Sequence, residues 1–266
     1  MTRPVEHIVP GWPAPAGVRA VFTTRSGGVS RPPFDSFNLG DHVRDDPASV
    51  ATNRTRLRAI TSPATPVFLQ QVHGTHVAHL DATTPHGTEA DACVVRSGSR
   101  VAATIMVADC LPVLFTCASG AAVAAAHAGW RGLASGVIEA TVRALREACS
   151  GATAPLRDGD PAIVAWLGPC IGPQAFEVGP EVVDAFVKPD AGAADCFSAQ
   201  PGGKFLADLP GLARRRLQAV GVSSVHGNDG SPQWCTATQS SRFFSHRRDA
   251  VRLGSTGRMA ACVWFG

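Results

Sequence analysis

The clearest hydrophobic pattern lies in the middle of the chain, where long apolar runs end in polar, chemically versatile side chains. Residues 101–107 are apolar apart from one threonine and predict a buried strand that leads to Asp109 and Cys110. A second apolar run at residues 121–126 predicts a neighbouring strand that leads to His127. Polar groups at the ends of two neighbouring buried strands are candidates for one functional site.

The same patterns predict further strands and helices along the chain. Apolar runs predict strands at residues 18–24, 66–72, 77–80, 93–95, 162–167, 222–226 and 258–264. Apolar residues at helical spacing predict helices at residues 46–60, 132–149, 180–186 and 208–220. The composition at 151–161 and 190–203 is typical of loops. Strands and helices are interspersed without strict alternation and without a visible linker, so we expect one α+β domain over residues 1–266.

Composition and charge exclude some classes of protein without identifying one. The chain is 45% hydrophobic and has a formal net charge of +3, which is too weak a bias to indicate a nucleic-acid or membrane-surface partner. Its first residues lack the apolar core of a signal peptide, and no run approaches the roughly 18 apolar residues of a membrane helix. We therefore expect a soluble, cytoplasmic protein that is a monomer or a small homo-oligomer.

The eight cysteines are spaced irregularly and include no Cys-x-x-Cys pair. In a chain of 266 residues this pattern is unlike a disulfide scaffold. We expect most of them to be reduced and buried, namely Cys93, Cys117, Cys149, Cys196 and Cys262. The other three, Cys110, Cys170 and Cys235, lie beside Pro, Gly or Thr, and Cys170 and Cys235 are candidates to line a cleft.

His73, Cys110 and His127 share one context, because each follows an apolar strand-like run and precedes a turn. Two imidazoles and one thiolate are three protein ligands, and zinc with three protein ligands keeps a fourth position for water or substrate. The sequence therefore predicts a catalytic zinc site, with copper as the alternative metal, and Asp109 is a candidate to orient a ligating histidine. Two alternatives stay open: Cys110 as a nucleophile with His127 as its base, or simple packing of these side chains.

Several longer motifs together resemble one known family. They are QVHGTHV, EADACVV, ADCLPVLF, AAAHAGWRGL, LGPCIGPQAFEVG, and FFSHRRD followed by TGRMA. From FTTRSGGVS to the final strand, the chain is similar to the YfiH family, also called the polyphenol oxidase laccase-domain or peptidoglycan-editing-factor family. The metal residues of that family correspond here to His73, Cys110 and His127. The resemblance also implies a fold in which two mixed sheets pack between helices.

The resemblance implies a purine nucleoside phosphorylase that acts on adenosine, inosine and S-methyl-5′-thioadenosine, with phosphate as the second substrate. Adenosine deaminase activity is also attributed to the family, although the H-x-E…P-C-x-x-C signature of zinc deaminases is absent here. Guanidinium groups match phosphate oxygens, so Arg25 with its Ser-Gly-Gly turn, and Arg247 or Arg248, are candidate phosphate or ribose contacts. Further candidate substrate contacts are Asn38, Glu177 and His246, the last of which replaces a tyrosine common in the family.

Three other functions stay open from the sequence. A copper-dependent polyphenol oxidase is one, although multicopper sites typically use His-x-His pairs and this chain has none. An amidase or editing hydrolase acting on peptidoglycan precursors is the second, because a thiolate and histidines also serve hydrolysis. A non-catalytic nucleotide-binding module is the third, and three ligands with an open position argue against it.

Overall fold

The structure is a computed structural model that describes residues 4–150 and 162–266. In this part of the chain it contains fourteen strands and six α-helices. The strands are β1 (His7–Ile8), β2 (Val18–Thr23), β3 (Thr65–Phe68), β4 (Val77–Leu80), β5 (Ala92–Arg96), β6 (Val101–Val107), β7 (Leu111–Cys117), β8 (Ala122–Ala128), β9 (Ile163–Leu167), β10 (Glu177–Val178), β11 (Phe197–Gln200), β12 (Lys204–Ala207), β13 (Ser224–Gly227) and β14 (Met259–Phe265). The helices are α1 (Pro47–Ile60), α2 (Trp130–Ser135), α3 (Val137–Ser150), α4 (Pro180–Val187), α5 (Leu209–Ala219) and α6 (His246–Leu253). None of the helices in these residues is both long enough and apolar enough to cross a membrane.

The strands form two large mixed sheets and one small sheet. The first large sheet has the order β1-β2-β14-β6-β3 and is antiparallel except for the β3–β6 pair. The second has the order β13-β9-β7-β8-β5-β4, and its two outermost pairs are parallel. The small sheet, β10-β12-β11, is antiparallel.

The two large sheets pack against each other, and helices cover their outer faces. Phe22 and Ile105 of the first sheet share one buried cluster with Leu114 and Val123 of the second. Helices α3, α4 and α5 contribute to a separate cluster on the other face of the second sheet, and Leu57 of α1 packs with residues on the outer face of the first. Each face of each sheet is therefore removed from water, which explains the continuous apolar runs of the central strands. The expected α+β fold with mixed sheets between helices is confirmed.

The chain passes from the first sheet to the second at two loops that carry candidate ligands. The loop from β3 to β4 contains His73, and the turn from β6 to β7 contains Cys110. His73 has φ 62° and Asp109 has φ 84°, so both loops use the left-handed region that residues other than glycine rarely adopt. The candidate ligands on these loops, His73 and Cys110, are thereby placed at one edge of the sandwich.

Several local expectations were wrong or incomplete. The apolar run after Cys110, for which no element was predicted, is strand β7, and its Pro112 is paired opposite His127 of β8. The single helix expected at 132–149 is divided into α2 and α3 by Gly136, whose φ of 100° ends α2. The segment 190–203 is not a loop throughout, because it contains β11 and two short 3-10 turns. Helix α6 was not predicted, and the loop expected at 151–161 lies outside the described residues.

Cys117 and Cys149 form a disulfide, although both were expected to be reduced. The bond joins the end of β7 to the last turn of α3, two elements that pack together through the core of the second sheet. The sequence does not reveal this pair because the two residues are separated by 32 positions and belong to different elements. The other six cysteines are free; of the three among them that were expected to be reduced and buried, Cys93 and Cys262 are buried and Cys196 is half-buried.

We expect reduction of this disulfide to destabilise the protein measurably. In the chain-entropy account, closing a loop of 32 residues stabilises the folded state by about 3–4 kcal/mol. Dithiothreitol should therefore lower the melting temperature of the oxidised wild-type protein by roughly 5–10 °C. Cys149→Ser is the control, because its melting temperature should be low with and without reductant. An unchanged wild-type melting temperature, or eight titratable thiols in the oxidised unfolded protein, would contradict the assignment.

Candidate metal centre and cleft

His73, Cys110 and His127 come together at the edge of the sandwich. Their candidate ligand atoms all lie within 4.8 Å of one another, and within the described ranges this is the one group of its kind. Cys110 Sγ is 3.8 Å from His73 Nε2, and the two imidazole ring centroids are 4.8 Å apart. The three residues that the sequence singled out therefore form one cluster.

The chain leaves space around this cluster at Gly129, directly after β8. A Cβ atom at this position would lie 2.9 Å from Cys110 Sγ and 3.0 Å from His73 Cδ2. Both distances are shorter than an ordinary van der Waals contact, so a larger residue would displace the candidate ligands. The glycine that begins the Gly-Trp-Arg-Gly corner thus has a steric role in the site.

Asp91 holds the two candidate histidines in place. Its side chain is fully buried, and Oδ1 lies 2.8 Å from Nδ1 of His127. The same carboxylate accepts hydrogen bonds from the backbone N–H groups of Val72, His73 and Gly74, at 3.1, 2.9 and 2.6 Å. A carboxylate at Nδ1 leaves Nε2 of His127 free to face the cluster, which is a common arrangement around metal-binding histidines.

Asp109 does not have the role that the sequence suggested. Its carboxylate accepts hydrogen bonds from the hydroxyls of Thr236 and Ser245, at 2.6 and 3.0 Å, and from the backbone N–H of Arg247 at 2.6 Å. It therefore ties the β6–β7 turn to the first turn of α6, and among the residues that the structure describes it makes no hydrogen bond to a histidine. Asp91 was overlooked because an acidic residue in a turn usually indicates exposure. The signal available was its position directly before the apolar strand β5.

The charges of the cluster favour a thiolate beside an imidazolium when no metal is bound. Burial opposes ionisation of Cys110, but the charge and hydrogen bond of His127, followed by those of His73, lower the pKa of the thiol. Burial would lower the pKa of His127, but Cys110 and Asp91 outweigh it and raise this pKa. Metal binding would then require His127 to release its proton, whereas the thiolate is already favoured.

The donor set fits a metal ion with three protein ligands. Zinc lies about 2.0–2.1 Å from histidine nitrogen and about 2.3 Å from cysteine sulfur, so tetrahedral ligand atoms are about 3.3–3.8 Å apart. Ligand atoms within 4.8 Å of one another can reach that spacing by small side-chain rotations. Two imidazoles and one thiolate are ligands for zinc, and they also occur around copper.

The cluster opens into a cleft of about 770 Å³, which lies in the size range of small-molecule sites. Part of its wall is apolar and aromatic, formed by Trp130, Ile171, Phe176 and Leu209. His246 and Arg247, two of the candidate substrate contacts, also line it at the start of α6. A further part of the wall, which we call the basic cluster, was not anticipated and consists of His42, Arg54, His86 and Arg258.

Arg25 and Arg248 do not line this cleft, contrary to the expectation that they contact phosphate or ribose. They lie at a separate surface pocket. Arg25 donates to the carbonyls of Asp35 and Ser240, both at 2.9 Å, and its guanidinium lies 4.7 Å from the ring centroid of Phe244. Arg248 donates to neighbouring backbone carbonyls and pairs with the carboxylate of Asp249. Both guanidinium groups are therefore engaged in holding loops together.

Asn38 and Glu177 are also absent from the cleft wall. The Asn38 side chain is buried, donates to Gly40 O at 3.0 Å and accepts from the backbone N–H of Arg258 at 2.8 Å. It therefore supports the loop that carries His42 and has no free polar group for a substrate. Glu177 is exposed in β10, and its backbone carbonyl accepts a hydrogen bond from Arg247. Cys170 and Cys235, which were candidates to line a cleft, are buried opposite each other across an isolated bridge.

Comparison with known proteins extends over nearly the whole chain. The family model described as "Multi-copper polyphenol oxidoreductase laccase" matches residues 19–266. A protein of Escherichia coli named purine nucleoside phosphorylase YfiH is 49% identical over 97% of this chain and 98% of its own length. A purine nucleoside phosphorylase of Pseudomonas aeruginosa is 51% identical over 97% of this chain and 98% of its own length.

Solved structures give the same result. A crystal structure of a Neisseria meningitidis protein superposes with a TM-score of 0.86 and 43% identity, covering 97% of this chain and 98% of that one. YlmD from Geobacillus stearothermophilus superposes with a TM-score of 0.82 and 31% identity, covering 96% of this chain and 94% of that one. The chain therefore belongs to the YfiH family, whose family model carries the polyphenol oxidoreductase laccase description.

Proposed function

We propose that this protein is a zinc-dependent purine nucleoside phosphorylase that acts on adenosine, inosine and S-methyl-5′-thioadenosine. The observation that carries the proposal is the open Cys-His-His cluster in a cleft of about 770 Å³, a volume that accommodates a nucleoside and a phosphate together. Relatives that match this chain over nearly its full length are named purine nucleoside phosphorylases. In the proposed reaction a phosphate oxygen forms a bond to C1′, the glycosidic bond breaks, and the purine leaves with the bonding electrons and takes up a proton.

Zinc, when bound, supplies a Lewis-acid position with one coordination site open to water or substrate. In this proposal Asp91 fixes the His127 ring so that Nε2 faces the cleft, and it fixes the His73 loop through three backbone hydrogen bonds. Trp130 and Phe176 offer aromatic surface on which a purine can pack. His246 and Arg247 supply hydrogen-bond donors at the cleft wall for ribose or base.

The test is an assay of purified protein with each of the three nucleosides, with and without inorganic phosphate. We expect free purine base to appear only when phosphate is present, because phosphate is the attacking group. Elemental analysis of the same sample should find zinc, and copper in its place would identify the alternative metal. No base from any nucleoside, in a sample with a full complement of metal, would reject the phosphorylase proposal.

Adenosine deaminase is the side activity that we propose for the same cleft, since a metal with an open position also suits activation of water. It predicts that ammonia and inosine are released from adenosine in the absence of phosphate. The two activities are distinguished by their products, because phosphorolysis of adenosine releases adenine and no ammonia. Absence of ammonia would remove this side activity and leave the phosphorylase proposal unaffected.

A further inference from the structure

The basic cluster lies in the same cleft as the candidate metal ligands but takes no part in holding them. His42, Arg54, His86 and Arg258 come from the loop before α1, from α1 itself, from the loop before β5 and from the residue before β14. Four cationic or titratable groups from separate parts of the chain thus converge on one cavity. The carboxylates that line the cleft within the described part of the chain are Asp41 and Asp109, and Asp109 is already bonded to α6.

Arg54 is held in place by several contacts, but part of its guanidinium group has no hydrogen-bond acceptor. Its Nε donates to Leu39 O at 3.0 Å, its Cζ lies 4.0 Å from the ring centroid of Phe68, and Nη2 lies 3.1 Å from Asp41 Oδ2. The Asp41 side chain is largely exposed, so water weakens this ion pair. Within residues 4–150 and 162–266, Nη1 has no hydrogen-bond acceptor, and the buried Nη2 has no hydrogen-bond partner despite its proximity to Asp41. A preorganised guanidinium with a free nitrogen is suited to binding an oxyanion.

Arg258 is held in a similar way from the other side. Its Nη1 donates to the carbonyls of Thr256 and Gly257, at 3.0 and 3.2 Å. Gly40 leaves room for its side chain, because a Cβ there would lie 2.8 Å from Arg258 Cγ. Nε and Nη2 of Arg258 have no acceptor among the residues described, and no carboxylate forms an ion pair with it there. Burial lowers its pKa, which negative charge at Cys110 and Asp109 only partly offsets.

The pKa values of the two histidines in the basic cluster also reflect a lack of negative charge around them. Burial lowers the pKa of His42, and the charge of Arg258 lowers it further, against the opposing effect of Asp41. Burial also lowers the pKa of His86, followed by the charge of Arg54. Two half-buried guanidinium groups and two exposed imidazoles therefore face the cleft, with one largely exposed carboxylate, Asp41, beside them. An anion in the cavity would relieve this repulsion and accept the unused N–H groups.

We propose that the basic cluster binds the inorganic phosphate that attacks the nucleoside, with Arg54 and Arg258 as its principal hydrogen-bond donors. This inference rests on the phosphorylase function proposed above and assigns the phosphate position that it requires. The chemistry recognised is a tetrahedral oxyanion of phosphate, which a 5′-nucleotide also carries. We commit to inorganic phosphate, because the metal cluster and the aromatic wall leave a separate part of the cleft for the nucleoside.

The test compares Arg54→Gln and Arg258→Gln with Arg58→Gln, a matched control on the exposed side of the same helix α1. In the wild type and in Arg58→Gln, inorganic phosphate should raise the melting temperature. In the two cleft variants this protection should be lost, and the KM for phosphate should rise about tenfold to a hundredfold, as expected for a lost charged hydrogen bond. The KM for nucleoside and the bound metal should stay within about twofold of wild type, since neither depends on a phosphate contact.

The outcomes separate this inference from the proposed function. Phosphorolysis with an unchanged phosphate KM in both cleft variants would overturn the inference and leave the function standing. If the wild type releases no base, loss of phosphate protection in the cleft variants alone would retain the anion site and reject the function. An equal rise in melting temperature with phosphate in all variants would reject the proposed phosphate site.

A larger, Arg54-dependent rise in melting temperature with adenosine 5′-monophosphate would identify a nucleotide, instead of inorganic phosphate, as the ligand. Arg54→Lys and Arg258→Gln keep the test decisive if Arg54→Gln does not fold.

Discussion

Replacing Cys110 with alanine is expected to abolish measurable nucleoside cleavage and to remove the bound metal while the protein stays folded. The thiol is one of three candidate ligands that cluster in the described part of the chain, and its sulfur lies 3.8 Å from His73 Nε2. Loss of a residue that merely supports a metal ligand costs about 10–100-fold, so loss of a ligand should cost more than roughly a hundredfold in activity. The fold should persist because Cys110 lies in a turn at the edge of the sandwich, where its half-buried side chain packs against the core cluster without belonging to it.

The measurement pairs elemental analysis with thermal melting and the phosphorolysis assay. Cys196→Ala is the matched control, because it removes the same sulfur from a free cysteine that is not among the residues lining the cleft. It should retain wild-type metal content and activity. Nucleoside cleavage by metal-free Cys110→Ala protein at the wild-type rate would rule out the metal-dependent mechanism.

Asp91→Asn is expected to lower metal affinity by about 10–100-fold and to destabilise the whole protein by about 3 kcal/mol. One buried carboxylate accepts three backbone N–H groups of the His73 loop and contacts His127 Nδ1. An amide of the same shape has a single acceptor oxygen, so its NH₂ group must face a donor. The His73 loop and the His127 ring should therefore lose their common support together.

Asp109→Asn provides the comparison, since it also changes a buried carboxylate to an amide beside the cleft. Asparagine tolerates the positive φ of this position, and its partners belong to Thr236, Ser245 and α6. We expect this variant to retain metal affinity within a few-fold of wild type while α6 is held less firmly. Metal titration and denaturant unfolding measure both effects, and equal metal loss in the two variants would show that Asp91 has no special role.

The parts of the fold that sequence patterns predicted are those where burial dictates residue type. Strands β6 and β8 lie between two packed layers, so their residues are almost all apolar, and the candidate ligands stand out where these runs end. β7 was missed because it follows Cys110 directly and contains Pro112, which is unusual inside a sheet. The small sheet was missed because its short strands are only partly buried.

The sequence did not indicate which polar side chains line the cleft, because this depends on the tertiary contacts that each polar group makes. Arg25 and Arg248 have the right chemistry for phosphate, but their guanidinium groups are occupied by backbone carbonyls. Arg54 and Arg258 look no different in the sequence, yet each keeps unbonded nitrogens in the cleft wall. The distinction comes from tertiary contacts between distant loops, which neither periodicity nor local spacing encodes.

The two crossovers from the first sheet to the second also connect metal capture with assembly of the protein. His73 and Cys110 lie where the polypeptide changes layers, and His127 lies inside a strand of the second layer. The three donors can converge only after both layers have docked, so an ion held by all of them is acquired late in folding. Once bound, the ion would cross-link the two sheets. Its binding free energy would then add to the free energy needed to separate the sheets at this edge.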